Sequence, residues 1–103
     1  MTRIDGIKLS NSGSRQNVKN ILGLAVKNRK GSYNELLRND TRRGDTIESF
    51  MDNGYIKISG TSGKHMYKIT ETGDQYYKDI FGTMSYWRER LSGEWKRFLK
   101  RHI

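Results

Sequence analysis

The sequence predicts a mainly α-helical α+β protein in which three helices precede a small β-hairpin and a long helix ends the chain. Three observations predict this fold class. Apolar residues recur at helical spacing in the first half, apolar and polar residues alternate on both sides of a Gly/Ser/Thr stretch, and large apolar residues recur every seven positions near the C terminus. We expect a flexible arm over 1–14, a compact domain over 15–73 and the C-terminal helix over 74–103.

The composition points to a polyanionic partner. The chain of 103 residues has 20 Lys and Arg against 11 Asp and Glu, a formal net charge of +9. This excess makes nucleic acid the first candidate partner and an acidic membrane surface the second. The absence of Cys excludes disulfides, thiolate metal sites and cysteine nucleophiles. No apolar run is long enough to cross a membrane or typical of a secretory signal, so we expect a cytoplasmic protein.

The first helix is predicted from its apolar spacing. Residues 1–14 end in a Ser/Asn/Gly cluster without a sustained period, which is typical of a flexible arm. After Arg15, the residues Val18, Ile21, Leu22 and Ala25 follow the i, i+3, i+4, i+7 spacing of one buried helical face.

The second helix is short and is predicted over 33–39. Gly31 ends the first helix, and Ser32 with Glu35 has the Ser-x-x-Glu spacing of a capping box. Leu36 and Leu37 are its expected buried residues.

A polar turn separates the second helix from the third. The third helix repeats the capping spacing from Asp45, and Ile47, Phe50 and Met51 are expected to face the core. The Asn-Gly pair at 53–54 suits a left-handed C-terminal cap.

A hairpin and a final helix complete the chain. Alternation over 55–59 and 65–69 predicts two strands, with a Gly-rich tip at 60–63. Thr72 begins a third capping pattern, with Thr70 as the competing cap, so a helix follows.

Two motifs resemble the winged helix-turn-helix family. They are Ile47-x-x-Phe50-x-x-x-Gly54-Tyr55-Ile56, which is similar to the end of a recognition helix and the turn into the wing, and Tyr67-x-Ile69-Thr70-x-x-Gly73, which is similar to the strand exit. The resemblance covers roughly 15–81. The long C-terminal helix resembles that of small archaeal winged-helix proteins of the 10a chromatin type, although Gly82 and Gly93 depart from that pattern.

The resemblance implies a dimeric protein that binds double-stranded DNA, as a transcriptional regulator or a nucleoid-associated chromatin protein. In the family, the third helix enters the major groove and the wing touches a neighbouring minor groove or the backbone. In the proteins of the 10a type, the long C-terminal helix forms an antiparallel coiled coil between two chains, and the resemblance implies the same here.

The charge distribution qualifies this expectation. Residues 33–56 hold 3 basic and 5 acidic groups, so the positive charge lies mainly outside the presumed recognition helix. Phosphate contacts are therefore expected to supply much of the affinity. The candidate DNA-binding residues are Arg15, Lys19, Arg42, Arg43, Thr46, Ser49, Lys64 and His65. Arg42 and Arg43 are the strongest candidates because they lie where the third helix begins; the alternative for each residue is an ordinary solvated position.

The C-terminal helix carries a predicted dimer interface. Its candidate residues have coiled-coil spacing: Tyr77, Ile80, Met84, Trp87, Leu91, Trp95 and Phe98. Two alternatives stay open. The helix can fold back on its own domain if Ser92 and Gly93 break it, or it can lie on a membrane surface, since basic residues surround its aromatic ones.

The residues give no sign of catalysis. His65 and His102 are the only histidines and have no partners at metal-ligand or catalytic spacing. The Gly-rich tip lacks the spacing of a nucleotide-binding loop. We therefore expect no enzyme activity, metal, cofactor or small-molecule ligand. The alternative to DNA binding is a protein-interaction module in which the acidic third helix binds a partner protein.

Overall fold

The computed structural model describes residues 3–4, 7–8, 12–61 and 63–102. The elements in chain order are β1 (Arg3–Ile4), β2 (Ile7–Lys8), α1 (Ser12–Asn28), β3 (Lys30–Ser32), α2 (Tyr33–Asn39), α3 (Asp45–Asp52), β4 (Ile56–Ser59), β5 (Met66–Ile69), α4 (Glu71–Phe81) and α5 (Thr83–His102). The chain is mainly helical with a small three-stranded antiparallel sheet, which confirms the predicted α+β class.

Half of the residues of the N-terminal segment, predicted as a flexible arm over 1–14, lie outside the described residues. Strands β1 and β2 pair antiparallel, with Arg3 opposite Lys8 and Ile4 opposite Ile7. Helix α1 begins at Ser12, before the predicted start at Arg15.

Helix α1 forms the centre of the core. Its predicted apolar face is confirmed, because Val18, Ile21, Leu22 and Ala25 are fully buried. The other buried apolar residues come from α1 itself and from α2, α3, β4, β5, α4 and α5: Val26, Leu36, Ile47, Phe50, Ile56, Tyr67, Ile69, Tyr77 and Tyr86. A single helix therefore organises the whole domain.

The sheet has the strand order β3-β5-β4, with both pairs antiparallel. Strands β4 and β5 confirm the predicted hairpin. Strand β3 was not predicted, because three residues are too few to show alternation. In the register, Lys68 of β5 lies directly opposite both Lys30 of β3 and Lys57 of β4.

The predicted capping boxes do not form at α2 and α3. Ser32 occupies the N-cap of α2 without a side-chain hydrogen bond to the helix. The Glu35 carboxylate instead accepts a bond of 3.1 Å from Asn28 Nδ2. At α4 the competing cap is the correct one: Thr70 Oγ1 accepts from the Gly73 N–H at 3.0 Å.

Helix α3 is rotated relative to the prediction. Ile47 and Phe50 face the core as expected, but Met51 is 42% exposed. Thr46 and Ser49, predicted to face DNA, are buried instead. The reason is that α1 offers a polar partner to this side of α3, because Asn17 Nδ2 donates to Thr46 Oγ1. The buried face of α3 therefore includes polar residues, which the apolar pattern of the sequence could not identify.

The C-terminal segment is two helices, which corrects the prediction of one helix over 74–103. Gly82 ends α4 with φ 96° and ψ 152°, a backbone conformation that glycine adopts without a Cβ clash. The chain turns there, and α5 packs back along α1. Among the described helices, none has the combined length and apolarity that crossing a membrane requires.

Gly93 sets the approach of α5 to α1. It lies inside α5 and does not break the helix. A Cβ at this position would overlap the Lys27 carbonyl oxygen. The Arg97 Nη1 donates to the same oxygen at 2.8 Å, so the end of α1 is joined to α5 there.

Replacing Gly93 with alanine is expected to destabilise the protein by about 1–3 kcal/mol, because the added methyl group meets backbone atoms that cannot rotate away. The sign of this change in stability is informative, because Gly→Ala in a solvent-exposed helix stabilises the helix by about 1 kcal/mol. Urea unfolding measures the difference. Ser92→Ala, at the exposed neighbouring position, is the control and should be neutral or slightly stabilising. A stabilising Gly93→Ala would contradict the packing of α5 on α1.

Candidate nucleic-acid interface

A buried carboxylate organises the turn between α2 and α3. Asp40 is 6% exposed. Its Oδ1 accepts from the Arg42 N–H at 2.8 Å, and its Oδ2 accepts from the N–H groups of Gly44, Thr46 and Ile47 at 3.0, 3.2 and 3.3 Å. One side chain thus holds the turn and supplies the cap of α3 from outside the helix.

Asn17 of α1 connects this turn to the core. Its Nδ2 donates to Asp40 Oδ1 at 3.1 Å and to Thr46 Oγ1 at 3.0 Å, and its Oδ1 accepts from the Thr41 N–H at 3.1 Å. Sequence reasoning missed Asp40 and treated it as part of a polar turn. The local signal was an Asx turn, in which an aspartate bonds the amide two residues later.

The turn presents two arginines, and we call residues 40–44 the basic turn. The side chains of Arg42 and Arg43 are exposed. Arg43 has a left-handed backbone with φ 58°, which is uncommon for a residue other than glycine. The Asp40 hydrogen bonds on both sides of it hold that conformation. The two strongest sequence candidates therefore lie on a rigid support at the surface.

The surface of α3 does not resemble a helix built to enter a DNA groove. Its exposed residues are Asp45, Glu48, Met51 and Asp52, three of which carry a carboxylate. The N-terminal amides of α3, expected to add a favourable field for phosphate, are already bonded to Asp40. We call this surface the acidic face of α3; it repels phosphates.

The hairpin residues predicted to contact DNA lie at the other end of α2. Lys64 and His65 are exposed. The Tyr33 N–H donates to the His65 carbonyl at 3.0 Å, and their rings meet edge to face with centroids 6.3 Å apart. The hairpin is thereby fixed to the start of α2, whereas the basic turn follows its end. Helix α2 has 7 residues, so the two basic groups are on the order of 10 Å apart.

Arg15 and Lys19 lie on α1 in different surroundings. Arg15 Nη2 donates to the Ile80 carbonyl at 2.8 Å, and the guanidinium lies 4.8 Å from the centre of the Phe81 ring. It therefore closes the C-terminal end of α4, which is a structural contact. Lys19 is exposed and lines a cleft of about 440 Å³ between α1 and α5, together with Lys27 and Arg88.

Five large apolar side chains form an exposed stripe on α5, which we call the aromatic stripe. They are Met84, Trp87, Leu91, Trp95 and Phe98, with exposed fractions of 81, 44, 59, 61 and 43%. The rings of Trp95 and Phe98 stack with their centroids 5.5 Å apart. The opposite side of α5 packs on α1, so the fold-back of the helix still leaves this stripe uncovered.

Two residues predicted for the dimer interface do not belong to the aromatic stripe. Tyr77 is 1% exposed, and its ring contacts Phe81 and Tyr86 within the core. Ile80 is partly buried against the core. The turn at Gly82 separates both from α5, so the seven-residue spacing across 77–84 does not describe one helical face.

Burial determines the shifted pKa values among the tyrosines. It raises the pKa of Tyr77 to about 12 and raises the pKa values of Tyr67 and Tyr76. These phenols stay protonated at neutral pH and serve as core groups. The pKa of Arg29 is raised by its two hydrogen bonds to Asp74, at 2.7 and 2.8 Å, which join the end of α1 to α4.

Within the residues that the structure describes, no three His, Cys, Asp or Glu side chains are grouped as metal ligands. Comparisons of the chain with protein-family models, with curated proteins and with solved structures found no match. Function must therefore be argued from the surface chemistry.

Proposed function

We propose that this protein is a dimeric winged-helix protein that binds the phosphate backbone of duplex DNA, as a transcriptional regulator or small chromatin-type protein of the nucleoid. The order of elements from α1 to β5, with three helices followed by a hairpin, supports the winged-helix interpretation. The net charge of +9 supports a polyanionic partner.

The observation that carries the proposal is the basic turn. Two neighbouring arginines are exposed on a turn whose backbone is fixed by Asp40, so little conformational freedom of the backbone is lost when they bind. Guanidinium groups form strong, directional hydrogen bonds with phosphate. A surface of this kind binds the sugar-phosphate backbone without reading bases.

The acidic face of α3 limits the mode of binding. Because three carboxylates face outward there, insertion of α3 into the major groove would bring like charges close to phosphates. We therefore propose that the basic turn and Lys64 of the wing, which lie at the two ends of α2, both contact the phosphate backbone of the DNA. Binding of this type is weakly dependent on sequence and strongly dependent on salt.

The aromatic stripe is proposed to join two copies of the chain. Its spacing is symmetric about Leu91, so an antiparallel pair with its two-fold axis there places Met84 opposite Phe98 and Trp87 opposite Trp95. Methionine–aromatic and aromatic–aromatic contacts are favourable. The basic residues of α5 concentrate toward its C-terminal end, and the antiparallel arrangement keeps the two basic ends apart.

The double substitution Arg42→Gln and Arg43→Asn tests the DNA-binding proposal. Asparagine tolerates the left-handed backbone at position 43, so the fold should be kept. We expect affinity for a 30-base-pair duplex to fall on the order of 100-fold, since each arginine makes a charge-assisted hydrogen bond. Fluorescence anisotropy at about 100 mM salt measures this. Lys96→Gln with Lys100→Gln, both exposed on α5, removes the same charge and should change affinity far less.

A second candidate function follows from the acidic face of α3. Three exposed carboxylates around Met51 form a surface suited to a basic protein partner, with DNA playing no direct role. Unchanged DNA affinity in the Arg42→Gln, Arg43→Asn variant would favour this function. Loss of affinity in that variant but not in the α5 control would favour DNA binding.

A further inference from the structure

The outer face of the sheet carries a row of three lysines that the proposed function does not use. Lys30, Lys68 and Lys57 lie side by side across β3, β5 and β4, and all three are exposed. Adjacent strands are about 4.8 Å apart, so the row spans about 10 Å. We call these residues the lysine row.

The neighbouring outward positions add hydroxyl groups and no carboxylate. Ser32, Met66 and Ser59 form the next row on the same face, and all three are exposed. Ser32 makes no side-chain capping bond to α2. Glu71 at the start of α4 lies beside this face, in the hollow that Lys57 and Lys68 help to line. Neither ion pair found in the described part of the chain involves the lysine row.

Repulsion within the lysine row destabilises the protein when no anion is bound. Like charges directly opposite each other on neighbouring strands destabilise a sheet. Lys68 lies opposite a lysine on both sides, so it experiences this repulsion twice. A bound polyanion would relieve the repulsion, whereas a merely solvated face gains nothing from placing three cations in one row.

The lysine row is separate from the basic turn. Asn17, which holds the basic turn, and Asn28, which precedes β3, are both in α1. Asn28 lies 11 positions after Asn17, which corresponds to roughly 16 Å along the helix axis. The two basic surfaces therefore lie toward opposite ends of α1 and can contact phosphates that are far apart.

We propose that the lysine row is a second contact surface for the phosphate backbone of duplex DNA, independent of sequence. This proposal rests on the proposed function and extends its surface. Lysine ammonium groups bind phosphate as point charges with little demand on geometry. The serine hydroxyls beside them donate further hydrogen bonds to phosphate oxygens.

The test replaces Lys30, Lys57 and Lys68 with glutamine in the full chain. The slope of log Kd against log salt concentration for a 30-base-pair duplex should fall by about 2.7 for each chain whose lysine row contacts DNA, at about 0.9 for each lost phosphate contact, and so by about 5.4 for a dimer bound through both chains. The control is Lys96→Gln, Lys100→Gln and Arg101→Gln, which removes equal charge from exposed positions of α5. A slope equal to that of the wild type would overturn the proposal.

The thermal stability of the free protein gives a second, independent test of the lysine-row proposal. Lys68→Gln should raise Tm, and by more than Lys30→Gln does, because only Lys68 has a lysine on both sides. A fall in Tm would contradict the proposed repulsion.

The outcomes separate this proposal from the proposed function. If the wild type binds no duplex, the proposed function fails. If the Arg42→Gln, Arg43→Asn variant loses affinity while the lysine-row variant keeps the wild-type slope, only the lysine-row proposal fails. If the lysine-row variant keeps DNA binding but loses binding to vesicles containing phosphatidylserine, the partner of this face is a membrane and the proposal is overturned.

Discussion

Asp40→Ala is expected to lower the free energy of unfolding by about 3–5 kcal/mol, because it removes the acceptor of several buried donors at once. The amides of Thr46 and Ile47 and the Asn17 side chain would lose their carboxylate partner. A loss of this size is a large part of the stability of a small domain and should lower Tm by more than about 12 °C. Chemical and thermal unfolding followed by circular dichroism measure both quantities.

Two controls separate the role of Asp40 from a general effect of charge. Asp45→Ala removes an exposed carboxylate from the first turn of α3, the position at which the sequence predicts the cap. It should cost less than about 1 kcal/mol. Asp40→Asn keeps one acceptor oxygen, so its cost should fall between the two. Equal effects of Asp40→Ala and Asp45→Ala would contradict the capping role of Asp40.

Leu91→Glu is expected to convert the protein to a monomer. In the proposed antiparallel dimer, Leu91 lies on the two-fold axis, so the substitution would place two carboxylates against each other in an apolar contact. We expect the dimer dissociation constant to rise by at least about 100-fold. Leu91 is 59% exposed in the single chain, so the fold of the monomer should be unaffected. Sedimentation velocity over a range of concentrations measures the change.

The matched control is Ser92→Glu, which introduces the same side chain one position along α5. Ser92 is exposed and lies off the aromatic stripe, so this variant should stay dimeric. A wild-type protein that is monomeric at all accessible concentrations would refute the pairing of two chains. A dimer that Leu91→Glu leaves intact would place the interface elsewhere.

Regular elements could be predicted because their signals are local. The apolar spacing of Val18, Ile21, Leu22 and Ala25 was enough to define the buried face of α1, and alternation was enough to define β4 and β5. Each of these patterns depends on one stretch of chain and one period. Strand β3 had no such signal, because it is short and is stabilised by pairing with a strand more than 30 residues later.

Long-range contacts explain what the sequence did not predict. Asp40 caps a helix that begins five residues later, and the capping rules consider only residues adjacent to the helix start. The buried position of Thr46 depends on Asn17 in another helix. The sequence left open whether Gly93 breaks the last helix, whereas in the structure its lack of a side chain is what lets α5 pack on α1.

The candidate surface could be predicted only in part. Arg42 and Arg43 were identified from their place before a helix, and the structure puts both side chains at the surface. Thr46 and Ser49 are buried, and the Arg15 side chain is bonded to the end of α4. These three residues are therefore no longer proposed to contact DNA. The lysine row was invisible in the sequence, because the register that aligns its three residues is set by strand pairing.

The most direct test of DNA binding is the affinity of the wild-type protein for a 30-base-pair duplex as a function of salt. A dimer that places Arg42 and Arg43 of both chains on phosphates should show a slope of log Kd against log salt of at least about 3.6. The Kd would then rise by roughly 100-fold or more between about 50 and 200 mM salt. No binding at the lower salt concentration, or an affinity that does not change between the two, would contradict the account.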